Sequence, residues 1–218
     1  MNKTVIEAAV AVVVMAAVLM TGIFVTALTQ ITLAQKDTSI SVIQPNSQNA
    51  TSNTTTTTTA AGVNAKFLTY ENSTLGIKIQ YPSNWTKQTA RDGIAFVVLS
   101  MGENNSQQFL AKLNMTRIMG FPPNVPLKAM ADRVVDGYRH FLRNFKIESY
   151  ANSRLGDNNA IKIVYDYTDS KNTSFKATDT AIIKNDRLYV IQYYVQLPRY
   201  QSYLPTLQKM VNSFQITG

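Results

Sequence analysis

Asp157, Asp166, Asp169 and Asp179 are the side chains in this 218-residue sequence best suited to hold a hard cation. Two of them fall in the stretch DYTDSKN (166–172), where carboxylates converging from one hairpin would offer the oxygen donors that calcium takes. The spacing argues against it: no EF-hand loop and no terminal bidentate Glu is present, and Lys171 stands among the acids. Acid–base chemistry has a single imidazole to draw on. His140 follows Asp136 by four residues and sits between Arg139 and Arg143, with no placed nucleophile or orienting partner. It reads as a solvated helix histidine near a helix C-terminus, where the macrodipole favours positive charge. The chain has no cysteine, which excludes disulfides, thiolate metal sites and thiol nucleophiles. Catalysis needs a nucleophile with a base, paired carboxylates or a ligand set, and the spacing assembles none of these. No enzyme activity is expected.

Binding chemistry has more material. Arg139, Arg143 and Lys146 form a basic end to a long middle helix, with Asp132 and Asp136 towards its other end. Part of this complements the helix dipole; the functional reading is docking to acidic headgroups or an acidic partner protein. Tyr165, Tyr167, Tyr189 and Tyr193 occupy alternating strand positions and are expected in the core, given the preference of strands for aromatics. Tyr194, opposite in phase and flanked by Gln192 and Gln196, is the candidate exposed contact. No nucleic-acid recognition motif is present.

These residues are positioned by strands and two helices. KFLTYEN leads through Gly76 into IKIQY, where Ile77, Ile79 and Tyr81 share a face. GIAFVVLSM (93–101) is a continuous apolar run, the pattern of a strand covered on both sides. QFLAKLNMTRI, AIKIVYDYT, SFKATDTAIIKN and RLYVIQYYVQL follow, the last two joined by Asn185–Asp186 as a hairpin across a two-residue loop. Leu127, Met130, Ala131, Val134, Val135, Tyr138, Phe141, Leu142 and Phe145 fall at 3.6-residue spacing, one apolar stripe on a helix reaching past residue 142. Tyr203, Leu204, Leu207, Met210, Val211 and Phe214 repeat the pattern, with Pro205 in the first turn. The economical architecture is α+β: an antiparallel β-sheet sandwiched by helices. The only tryptophan, Trp85, follows a proline that ends the IKIQY strand. It is expected to fold back over the sheet edge as an apolar plug.

Ahead of this domain (65–218) lie two segments of different character. From Ala8 to Gln35 there is no charge, and the run is long enough to span about 30 Å of hydrocarbon as a helix. An N-terminal signal anchor over residues 1–35 is therefore expected, tying the protein to the membrane. Cleavage after Ala34 in TLAQ is the competing outcome. Residues 36–64 are rich in Thr, Ser and Asn and too poor in apolar groups to offset ordering entropy, so they read as a disordered extracytoplasmic stalk. Asn-x-Ser/Thr sequons at Asn49, Asn53, Asn72, Asn104 and Asn172 are the candidate glycosylation sites. Residues 1–63 hold two basic and two acidic side chains, so the net charge of +8 falls on the domain.

The stretch YENSTLGIKIQYPSNW, the internal VVLS strand, the long middle helix and the terminal YLPTLQKMVNSF together resemble the PsbP-like proteins. The resemblance covers about residues 66–216; Gly-Ile-x-Ile-x-Tyr-Pro-x-x-Trp and Met-x-x-Ser-Phe are specific as a pair. It implies an antiparallel sheet between helices and a non-catalytic accessory role on a membrane complex. Photosynthetic members support the manganese–calcium cluster of photosystem II, and a Ran-binding import factor shares the fold. The anchor and Thr-rich stalk set this chain apart from the photosynthetic members, and no metal-binding residue is carried over. No cofactor is expected; calcium enters through family analogy alone. The expectation is a membrane-anchored extracytoplasmic binding module, with a secreted carbohydrate- or peptide-binding protein or a metal-dependent enzyme as the alternatives.

Overall fold

The computed structural model describes residues 65–88, 94–102, 109–121 and 125–217. The first two strands, β1 (Phe67–Asn72) and β2 (Ile77–Pro82), form a hairpin. Its loop closes at Gly76, whose φ of 64° is a left-handed conformation that glycine adopts without penalty. This hairpin does not join the main sheet. It is completed by β10 (Gln215–Ile216) as a separate three-stranded sheet in the order β1-β2-β10. The remaining strands are β3 (Thr86–Gln88), β4 (Ile94–Met101), β5 (Phe109–Ile118), β6 (Arg143–Leu155), β7 (Asn158–Thr168), β8 (Ser174–Lys184) and β9 (Arg187–Gln196). They form a seven-stranded antiparallel sheet in the order β3-β4-β5-β9-β8-β7-β6.

Alternation along the central strands sorts side chains to two faces, and each face has its own core. Helix α1 (Leu127–Phe141) lays Met130, Ala131, Val134, Val135 and Tyr138 on Ile161, Ile163, Tyr165 and Tyr167 of β7 and on Phe175, Ala177 and Ala181 of β8. Helix α2 (Tyr200–Asn212) covers the other face, where Tyr203, Leu207 and Met210 meet Tyr189, Ile191, Tyr193 and Val195 of β9 together with Ile77 and Ile79 of the small sheet. Each large apolar side chain buried in this way contributes about 1.5–3 kcal/mol. Trp85 is buried in this second core, its ring 6.0 Å from that of Tyr203, whose hydroxyl pairs with Ser100 Oγ at 2.8 Å.

The two stretches that carried the family resemblance touch each other. The Gln80 amide donates to Ser213 Oγ at 2.8 Å, the Thr217 amide donates to Gly76 O at 2.9 Å, and Ile77 pairs with Ile216. Arg117 of β5 donates to the carbonyls of Thr74 and Leu75, fastening the β1–β2 turn to the large sheet.

Three sequence expectations are corrected here. Helix α1 stops at Phe141: Leu142 is extended, Asn144 has φ 53°, and the chain runs directly into β6. A bulge between Ile147 and Ser149 spaces Phe145, Ile147 and Tyr150 by two and then three residues, which hid the alternation of β6. Tyr194 is 1% exposed, because α1 and α2 cover opposite faces and neither phase of β9 reaches solvent. Helix α2 begins at Tyr200, so Pro205 lies beyond its first turn. The expected membrane helix (1–35) and stalk (36–64) fall outside the described residues; among those, no helix is long and apolar enough to cross a membrane.

Candidate functional site

The four aspartates are dispersed. Asp179 of β8 is 3% exposed, on the face beneath α1. Its carboxylate accepts from Tyr138 Oη at 2.6 Å, Gln192 Nε2 at 3.1 Å and Tyr165 Oη at 3.4 Å. Gln192 also accepts from Asn114 Nδ2 at 3.0 Å, so a hydrogen-bonded row runs across β5, β9 and β8 inside the core. Burial pushes the Asp179 carboxyl up to about 6, against the lowering effect of the hydrogen bonds from Tyr138, Gln192 and Tyr165. Burial, followed by the charge of Asp179, raises Tyr138, Tyr165 and Tyr194 well above the usual phenol range and keeps them protonated. The void lined by Asp179 is about 10 Å³, scarcely room for one water.

The other acids serve turns and ion pairs. Asp169 Oδ1 accepts the amides of Lys171 and Thr173, fixing the β7–β8 turn. Asp166 and Glu148 both pair with Lys176. Asp157 lies in the exposed β6–β7 turn, where its carbonyl accepts from Arg154. Among the described residues no three His, Cys, Asp or Glu side chains are grouped to hold a metal ion. His140 is exposed, with Nδ1 2.7 Å from the Asp136 carbonyl of its own helix.

The residues expected to form a basic helix end are not on one element. Arg139 is on the last turn of α1, its guanidinium 2.9 Å from Asp136, while Arg143 and Lys146 are exposed on the edge strand β6. Their expected one-turn spacing on a helix does not exist, because the helix has already ended. Of the sequons, Asn49, Asn53 and Asn104 fall outside the described residues. Asn172 is exposed in the β7–β8 turn at φ 63°. Asn72 is half-buried, with its amide nitrogen donating to Tyr70 Oη at 3.2 Å.

Open chemistry is found on the opposite face from Asp179. The C-terminal half of α2 stands away from the β6–β7 end of the large sheet and leaves a cleft of about 250 Å³. Thr180 of β8 and Tyr193 of β9 form its floor, Ser153 of β6 and Lys162 of β7 one side, and Gln208 and Asn212 of α2 the other. Register places Lys162 directly beside Thr180, and both point away from the neighbouring Ile161, Ile163 and Ala181 of the α1-side core. Lys162 is exposed and has no ion-pair partner among the described residues. Lys176, further along the same face, is held by Glu148 and Asp166. The cleft lining contains no carboxylate. It can therefore offer the cations of Lys162 and Arg154 with the hydroxyls and amides of Ser153, Thr180, Gln208 and Asn212 to a ligand, while the Tyr193 phenol, raised by burial, stays neutral and engaged with Thr178 and Tyr200.

The sequence reading passed over these residues because it followed the apolar phase of each strand. The signal was in the complementary phase: Lys162 in AIKIVYDYT and Thr178 and Thr180 in SFKATDTAIIKN align as one polar face, and Gln208 and Asn212 border the apolar stripe of α2.

A family model described as PsbP-like protein matches residues 10–216. Among solved structures, cyanobacterial PsbP from Synechocystis is similar with a TM-score of 0.53 and 14% identity, covering 72% of this chain and 96% of that one. LpqN of Mycobacterium tuberculosis, described as involved in cell envelope biogenesis, is similar with a TM-score of 0.51 and 10% identity, covering 71% and 92%. At these identities the likeness is one of fold. No curated protein matches the sequence.

Proposed function

Because the chain belongs to the PsbP-like family, we propose that it is a non-catalytic accessory module, carried outside the membrane by its N-terminal span, that binds another component of the envelope or of a membrane complex. The observation behind this reading is the polar cleft beside α2, built by side chains from five separate elements and open to solvent. Docking moves accordingly from the basic helix end to this cleft. The acid and phenols that could do chemistry, Asp179 with Tyr138 and Tyr165, are sealed under α1. Support for the membrane comes from the charge-free run of residues 8–35, which is longer than the ~7–15-residue apolar region of a cleaved signal peptide.

Native membranes solubilised in mild detergent test the reading. The full chain should migrate on a native gel in an assembly larger than itself and resist carbonate extraction beforehand. Lys162→Glu should release it from that assembly without lowering its thermal stability, since substitutions of solvated side chains cost little. Migration as a free monomer in every detergent would overturn the accessory role. A mature N-terminus at Gln35 in a soluble fraction would overturn the anchor.

A further inference from the structure

Resting on that reading, we infer that the cleft beside α2 takes a small hydroxylated anion: a sugar unit carrying a carboxylate or a phosphate. Charge is the first reason. Lys162 presents an ammonium to the cleft with no carboxylate among the lining residues and no ion-pair partner among the described ones, whereas its neighbour Lys176 is neutralised twice over. An uncompensated cation in a concave polar site attracts an oxyanion more strongly than the same cation on a flat, fully hydrated surface.

The hydrogen-bonding inventory is the second reason. Gln208 and Asn212 stand one helical turn apart on α2 and each supplies both a donor and an acceptor; the hydroxyls of Ser153 and Thr180 supply either. Groups that donate and accept interchangeably suit sugar hydroxyls, which do the same, and would be redundant for a bare inorganic anion. Size is the third. At about 250 Å³ the cleft lies just below the ~300–1,000 Å³ of typical small-molecule pockets, enough for one or two sugar rings displayed by a larger envelope component.

Calorimetric titration of the full chain in detergent micelles at low salt tests this, with glucuronic acid, glucose 6-phosphate, glucose and inorganic phosphate as probes. At least one anionic sugar should bind at least about tenfold more tightly than glucose or phosphate. Tighter binding of glucuronic acid assigns a carboxylate ligand, and tighter binding of glucose 6-phosphate a phosphate one. Lys162→Gln should weaken the preferred sugar by about tenfold or more and make the remaining binding less sensitive to salt, while Arg139→Gln, on the other side of the sheet, changes nothing. Unfolding curves of both variants should overlay that of the parent. Binding of phosphate as tight as that of either sugar, absence of binding by both anionic sugars, or a Lys162→Gln variant that binds unchanged would overturn the inference. Should the native-gel assembly persist in that case, the ligand class falls and the accessory role stands.

Discussion

Asp179 shows how a single side chain can be legible as a type and not as a place. In the sequence it is one of four acids suited to a cation; in the fold it is in phase with Ala177 and Ala181, whose small apolar side chains mark the face under α1. Its carboxyl titrates at about 6 in the folded chain against an ordinary 3.8. The folded state therefore holds the proton more tightly, and the contribution of Asp179 to stability is full below about pH 4 and lost as pH rises through about 6. At ~1.4 kcal/mol per unit, the loss amounts to about 3 kcal/mol or less. Asp179→Asn should remove that slope, so urea unfolding of parent and variant should diverge between pH 4 and pH 7 in favour of the variant at the higher pH; parallel curves would contradict it. Trp85, by contrast, was read correctly from its place after Pro82. Trp85→Ala should cost about 3–5 kcal/mol, as large aromatic truncations in cores do. The folded parent should show blue-shifted emission; red, quenched emission from the parent, together with unchanged stability of the alanine variant, would count against burial. Tyr194 was misread because a phase opposite to one core was taken for a phase facing water.

Local sequence was a good guide to elements wherever the periodicity was unbroken. The β8–β9 hairpin follows from Asn185–Asp186, both of which sit at positive φ, 50° and 55°, as a two-residue primed turn requires. Asp is the less comfortable of the pair there. Asp186→Gly should raise stability by about 0.5–1 kcal/mol, since it relieves the left-handed strain that a side chain brings. The backbone bond from the Phe121 amide to the Asp186 carbonyl is untouched by the change. Thermal unfolding measures this, and a lower melting temperature would mean that the Asp186 side chain does something the turn geometry does not require. β6 was invisible for the reason its bulge supplies: spacings of two and three residues imitate a helical stripe, and Leu142 and Phe145 extended the stripe of α1 across the junction. β3 and β10, at three and two residues, are too short to carry a period at all. The polar cleft arises from the complementary phases of β7 and β8, so it became visible only once the two strands were known to be neighbours.

At the scale of the whole molecule, the α+β class and the two helices among the described residues were readable, and the division into two sheets was not, because pairing partners far apart in sequence leave no local trace. Asn114 meets Gln192 across 78 positions and Gln80 meets Ser213 across 133. Folds dominated by such contacts form slowly, on the order of milliseconds to seconds. Truncation after Asn212 removes Ser213, the buried Phe214 and β10, and should cost at least about 3 kcal/mol from the lost aromatic alone. Hydrogen exchange should show β1 and β2 losing protection well before β7, β8 and β9; uniform loss would mean that the sheets unfold as one unit. The pairing of β2 with the last strand also bears on how the protein is made. Lys78 leaves the ribosome long before its partner Gln215 is synthesised, on the order of ten seconds at ordinary elongation rates. Throughout that interval Ile77 and Ile79 have no cover from the C-terminal helix. A message cut about twenty codons short would lose α2 as well as β10 and yield a nearly full-length chain with that apolar strand still bare, a substrate for proteases and chaperones instead of a slightly weakened protein.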